Sequence, residues 1–192
     1  MDRLLVIVAR EEPERYANLK RLFADETVEV IVDRRVGRRR QRHTSPVVDR
    51  RRGDRRARVR SEFRMPLGRG ADVVSARQRG RELAAAVGLS SMDSTVVATA
   101  VSELAQNVVS HAVLGEVTLS VIENKHALGI EAVATDSGPG ILDIARALSD
   151  ADVMSGGVRA GLAGVRRVMD AFFITSTLGK GTAITIRKWR RG

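Results

Sequence analysis

VSELAQNVVSHA (101–112), followed in order by DSGPG (136–140) and GLAGVRRVMD (161–170), decides how this chain is read. Val97, Ala100, Val101, Leu104 and Val108 recur at three- and four-residue steps, and that spacing predicts an amphipathic helix over about 93–113. Ser90 and Asp93 suit a capping arrangement at its start. Thr99, Glu103, Asn107 and His111 form a polar stripe beside the apolar one, with Glu103 and Asn107 one turn apart on a shared face. Taken alone, such a stripe is an ordinary solvated face. The glycine clusters that follow it give it a different context.

Working outward, ADVVSARQRGRELAAAVG (71–88) reads as a preceding helix, with Asp72 in its first turn and Gly88 as its stop. VRSEFRMPL (59–67) alternates enough to be a strand, as do EVTLSVIE (116–123) and LGIEAVATD (128–136), the last two joined by a short polar turn. A glycine-rich stretch covers 137–160, with a short helix expected at 141–149. A helix over 161–170 and strands over 171–178 and 182–189, turning at Gly179-Lys180-Gly181, complete the unit. Successive strands joined by tight turns predict an α/β fold with a mixed, mostly antiparallel sheet carrying helices on one face.

The N-terminal third is different. LLVIV (4–8), a helical pattern over 11–25 and VEVIV (28–32) predict a small β-α-β unit over residues 1–33. It is too small to stand alone, so it packs on the main domain or pairs with a second subunit in a homodimer. Residues 34–57 form an arginine-rich arm in which VDRRVGRRR (32–40) is echoed by VDRRRGDRR (48–56). Between 34 and 60 there are 13 arginines against two acids, so the net charge of +10 belongs to this segment and the rest of the chain is almost neutral. The arm is either a solvated linker or an anion-binding element for an acidic partner protein, a polyphosphate or nucleic acid. Its lack of aromatic residues for base stacking weighs against nucleic acid. Residues 58–192 form the main domain.

Composition excludes several classes of function. With no cysteine there is no disulfide, thiolate metal site or cysteine nucleophile. No apolar run approaches the roughly 18–20 residues of a membrane span, and the 3–9 run is too short for a signal core, so a cytoplasmic chain is expected. Aromatics are only 3%, so the core must be aliphatic. The G-x-x-x-x-G-K-[ST] phosphate loop and the H-R-D catalytic loop of ordinary protein kinases are both absent.

What remains is chemistry suited to a nucleotide. Asn107 can offer its carbonyl oxygen to Mg²⁺, and Glu103 can orient or deprotonate an attacking hydroxyl or water. Asp136, ending a strand, can accept a hydrogen bond from an exocyclic amino group; Gly138 and Gly140 remove side chains where a ring would pack, although D-S-G-P-G also suits a plain turn. Gly156, Gly157, Gly161 and Gly164 precede and enter a helix whose free N–H groups and dipole favour phosphate oxygens.

The ordered motifs ATAVSELAQN (98–107), ATDSGPGI (134–141), GLAGVRRVMD (161–170) and GKGTAITIRKW (179–189) resemble the GHKL ATP-binding superfamily. Within it the chain is most similar to the anti-sigma regulatory serine/threonine kinases of the RsbT type, over about residues 58–190. The resemblance implies a two-layer Bergerat-type α/β sandwich binding Mg-ATP under a lid. It implies Glu103 as the base-like residue near the γ-phosphate and Asn107 as the Mg²⁺ ligand. Asp136 would read the adenine amino group above Gly138 and Gly140. Gly161 and Gly164 would shape the phosphate contacts, and Thr182 would complete the pocket. Arg159 departs from the glycine-rich lid expected, and would either add a cation to the phosphates or stiffen the lid. The implied substrate is a Ser or Thr of a STAS-domain antagonist, with a phosphatase or sigma-factor regulator downstream. The alternative is a nucleotide-gated binding module that sequesters its partner.

Overall fold

The computed structural model describes residues 4–8, 17, 28–32, 57–112, 114–124, 127–149 and 161–191. The strands are β1 (Leu4–Val8), β2 (Val28–Val32), β3 (Arg58–Leu67), β4 (Gly115–Glu123), β5 (Leu128–Asp136), β6 (Ala171–Thr177) and β7 (Gly181–Trp189). The helices are α1 (Gly70–Ala86), α2 (Ser91–His111), α3 (Ile144–Ala147) and α4 (Gly161–Val168). All seven strands share one sheet in the order β2-β1-β6-β7-β5-β4-β3. β1 runs parallel to both β2 and β6, and the other four pairings are antiparallel. The sheet is mixed and mostly antiparallel, as the alternation of the strands predicts.

Each long helix starts and stops for a local reason. Asp72 accepts hydrogen bonds from Gly68 N (2.9 Å) and Arg69 N (2.8 Å), satisfying donors at the start of α1. These bonds, Gly68 first and then Arg69, hold the Asp72 carboxyl below the ordinary aspartate value of 3.8. Past its end, Gly88 takes φ +82°, and Leu89 N donates back to Ala84 O at 3.1 Å. Ser90 then caps α2 by accepting from Asp93 N at 3.0 Å.

The two helices meet where Gly80 faces Val101. A Cβ on Gly80 would lie 3.1 Å from Val101 Cγ2, so the missing side chain sets the close approach. The predicted stripe Val97, Ala100, Val101, Leu104 and Val108 is buried without exception. It packs on the inner sheet face formed by Val117, Leu119, Ile130, Ala132, Ile174, Ile184 and Ile186. Each such large aliphatic side chain contributes about 1.5–3 kcal/mol by leaving water. This aliphatic core fixes α2 against the sheet and thereby fixes where its polar stripe points.

Two charged clusters brace the sheet. Glu131 on β5 and Arg187 on β7 are cross-strand neighbours, joined at 2.8 Å, with side chains only 4% and 7% exposed. Lys188, one residue on, donates to Val168 O (2.9 Å) and to Asp170 Oδ1 (3.1 Å), tying the end of α4 to β7.

One sequence expectation is corrected. The helix foreseen at 141–149 is only Ile144–Ala147, because Ile141 N is held by Ser176 Oγ at 2.8 Å and Asp143 caps the helix start through Arg146 N at 2.9 Å. β3 has a register shift between Val59 and Ser61, which frees Arg60 to form a two-point pair with Glu123 at 2.8 and 3.0 Å. The N-terminal strands join the main sheet through β1 and β6, so of the two placements considered, packing on the main domain is observed. The helical pattern over 11–25, apart from Ala17, and the arginine repeat of 34–56 lie outside the described residues.

Candidate functional site

A cavity of ≈ 410 Å³ opens between α2, the C-terminal end of β5, the 139–141 loop, the start of α4 and the start of β7. Its walls include Leu104, Val108, Ala134, Ile141 and Ile184, and its polar side chains are Asn107, His111, Asp136, Ser149 and Thr182. An apolar cleft of this size with a few convergent polar groups is the usual form of a small-molecule site.

Of the residues singled out in the sequence, Asn107, Asp136, Gly140, Gly161 and Thr182 line this cavity together, and His111 joins them. Glu103 lies one turn before Asn107 on α2, half-buried, and does not itself line the cavity. Gly138 sits beside it: its N–H donates to Asp136 Oδ1 at 2.8 Å, and an added Cβ would meet His111 O at 2.9 Å. Gly164 lies on the buried face of α4 and does not line the cavity. Gly156, Gly157 and Arg159 lie outside the described residues.

Asp136 is held in place from the backbone. Its Oδ1 accepts from Gly138 N and, at 3.2 Å, from Thr182 N. No other hydrogen bond to the carboxylate occurs among the described residues, which leaves Oδ2 as an acceptor for a ligand amino group. The floor beside it is closed by two glycines with positive φ. An added Cβ at Gly140 (φ +75°) would collide with Thr177 O, and one at Gly181 (φ +97°) would collide with Asp136 O. Backbone therefore comes within contact distance of backbone at both glycines, and at Gly181 the backbone met is that of Asp136.

Two contributors were not singled out in the sequence. Gly181 was read as part of a turn, and its close approach to Asp136 depends on β5 and β7 being neighbours. Ser176, inside β6, is buried and bonded to Ile141 N and to Thr182 Oγ1, the latter at 2.9 Å. In the sequence it is one of three hydroxyl residues in ITST, with nothing local to distinguish it.

The donor set fits a nucleotide better than a free metal ion. A carboxylate acceptor, a hydroxyl and a glycine floor surround an apolar slot, and α4 begins at the cavity wall, where first-turn N–H groups lack intrahelical partners. No group of three or more metal-ligating side chains occurs among the described residues, so an ion here would depend on ligand oxygens for most of its shell. None of the described helices is long and apolar enough to cross a membrane.

The chain belongs to an ATP-using class of domain, the histidine kinase-like ATPase domain family, whose model matches residues 68–188. Within that family it is similar to the serine/threonine-protein kinase RsbT of Bacillus subtilis (strain 168). The two are 41% identical over 120 residues, covering 62% of this chain and 90% of that protein. A crystal structure of the RsbU and RsbW domains of a Mycobacterium tuberculosis protein also aligns, at 18% identity and a TM-score of 0.44, over 68% of this chain and 33% of that one.

Proposed function

We propose that this chain is an ATP-dependent serine/threonine-protein kinase of a partner-switching pathway, acting on a Ser or Thr of a STAS-domain antagonist protein. Kinase class follows from the likeness to RsbT across 90% of that protein's length. The observation that carries the site is the meeting of Asn107, Asp136, Gly140, Gly161 and Thr182 around one cavity, although they span 76 positions of sequence. Asp136 reads the exocyclic amino group of adenine through Oδ2. Gly138 and Gly140 leave room for the ring, Thr182 closes the pocket beside it, and Gly161 and Gly164 shape the phosphate end of α4.

Asn107 is the one side chain of the set suited to Mg²⁺, through its amide oxygen; the ion would neutralise phosphate charge. Glu103, a turn away from Asn107, takes the proton of the substrate hydroxyl as that oxygen bonds to the γ-phosphorus and the bond to ADP breaks. The phosphorylated partner gains about −1.5 to −2 charges, enough to alter which protein it binds next. Residues 58–192 carry this chemistry, and the arm of 34–57 is an appended element for an acidic partner.

Purified full-length protein with Mg-ATP and a STAS-domain partner tests this directly. Phosphoserine or phosphothreonine should form, and Glu103→Ala should lower transfer by about 10²-fold or more while nucleotide affinity stays within a few-fold. Undiminished transfer by Glu103→Ala would remove the base assignment. If wild type binds ATP and partner but transfers nothing, the chain is a nucleotide-gated binding module instead.

A further inference from the structure

The sheet face turned away from the helices is buried as well. Side chains alternate along a strand, so the neighbours of the core residues Val117, Leu119, Ala132 and Ile184 point the other way. Thr118, Ser120 and Ile122 on β4, Val133 on β5 and Thr185 on β7 are of this kind, and each is between 1% and 7% exposed. Ile122 and Val133 are buried apolar residues that do not belong to the core beneath the helices. Ser120 Oγ is shut off from water and has no hydrogen-bond partner among the described residues. An antiparallel sheet with one face in water keeps the polar side chains of that face wet, and these are dry. All four described helices contribute to the core on the opposite face.

The burial is that of one chain alone, so the cover comes from this chain's own residues outside the described ones. Residues 150–160 join α3 to α4, both on the helix side. Residues 9–27 join Val8 to Val28 on the adjacent strands β1 and β2. A helix there is about 10 Å wide, roughly two strand spacings, whereas β4 lies four strands from β1, about 19 Å away. Residues 33–56 differ, because they join β2 to β3, the opposite edges of the sheet. The pairings make β2 and β3 run the same way, so Val32 stands at the sheet end that carries Asp136 and Arg58 at the other end. The segment therefore traverses the whole width and about one strand length, a diagonal of roughly 40 Å. Fully extended it reaches about 80 Å, so its length permits a path over either face. The burial of β4, β5 and β7 selects the outer one.

We propose that residues 33–56 cross the outer face of the sheet and are seated on it through TSPVV (44–48). This uncharged stretch stands midway along the segment, between the two arginine repeats, as β7 stands midway across the sheet. Val47 and Val48 supply the apolar surface that matches Ile122 and Val133. The arginines face outward, because Glu131 of this face is already paired with Arg187 and an unpaired buried guanidinium is costly. They stay open to the acidic partner of the reading above, on a stretch of chain fixed at both ends. The inference holds whether or not the cleft takes ATP.

The chain has no cysteine, so an introduced thiol reports a single place. In the full chain, Thr118→Cys should react with a maleimide at least about 10-fold more slowly than Val74→Cys on α1, since it must wait for the cover to open. Val74 is 68% exposed. Under mild oxidation, Thr118→Cys paired with Val47→Cys or Val48→Cys should form a disulfide within one chain, read by mass spectrometry of the linked peptide. Paired with Ala17→Cys it should form none. Thr185→Cys replaces Thr118→Cys if that variant folds poorly. A Thr118→Cys thiol that reacts as fast as Val74→Cys shows an open face and overturns the proposal. A slow thiol that links to Ala17→Cys, or to no position within 44–48, assigns the cover elsewhere and also overturns it. Disulfides that form only between chains, and fade on dilution, make a second copy the occupant instead.

Discussion

Asp136→Asn separates the role of this residue in the fold from its role toward a ligand. Both internal bonds of Asp136 enter one oxygen, from Gly138 N at 2.8 Å and Thr182 N at 3.2 Å. Asparagine keeps an oxygen that can accept both, so the loop should hold and the melting temperature should change little. The other position changes from an acceptor to an NH₂ donor, and it would face the donor amino group of adenine. Losing a hydrogen bond to a charged group costs about 1.5–3 kcal/mol, and leaving a desolvated donor unmet adds about 1–3 kcal/mol. Even near the lower ends the sum is about 2.7 kcal/mol, roughly a 10²-fold loss of ATP affinity. Calorimetric titration with Mg-ATP measures the loss, and parallel titration with Mg-ITP measures its sign. Inosine carries a 6-oxo acceptor, so its relative affinity should rise in the variant. Asp136→Asn that is stably folded and binds ATP within threefold of wild type would refute the assignment of Oδ2 to the base.

Further outcomes follow from other contacts. Glu131→Ala leaves Arg187 buried without its partner and should cost about 3–5 kcal/mol in urea unfolding, whereas Glu131→Leu with Arg187→Met should recover most of that loss. Gly181→Ala, at φ +97° and against the Asp136 carbonyl, should cost at least about 1–3 kcal/mol and weaken ATP binding along with stability, measured by melting with and without nucleotide. The Asp72 carboxyl is more acidic folded than unfolded, so its support of α1 is complete above its unfolded value near 3.8 and is lost as pH falls through the lower folded value. Asp72→Asn should therefore flatten the acid limb of a stability-against-pH curve below about pH 4 and reduce stability at pH 7.

Much of the fold was legible because its signals are local. The α2 stripe sits at helical spacing and is buried at every position named, and β5 spans the 128–136 read from alternation alone. Ser90 and Gly88 mark helix ends by side-chain and backbone chemistry that needs no tertiary partner. Pairing is where local information ends. β7 lies between β6 and β5, and β1 adds to β6 across more than 160 residues of sequence; no short window encodes either neighbour. The site divides in the same way. Asn107, Asp136 and Thr182 stand in motifs whose order resembles a family, so they could be named. Ser176 and Gly181 gain their roles only once β6, β7 and β5 are side by side. The 141–149 helix was overestimated because its first residues are drawn away by Ser176, a competitor 35 positions distant.

Placing β1 along β6 also determines where another chain could join this sheet by strand addition. Without it, β6 would offer an unpaired row of backbone donors and acceptors beside the 139–141 loop that lines the cavity. With β1 and β2 in place, that row lies two strands farther out, and the remaining open margin is β3 at the opposite side. β3 is poorly suited to accept a strand, since it carries Arg58, Arg60 and Arg64, an irregular register and Pro66, the features by which sheet margins resist intermolecular pairing. The VEVIV sequence of β2 carries a single charge. The N-terminal strands thus set the open margin on that side of the sheet two strands away from the cavity.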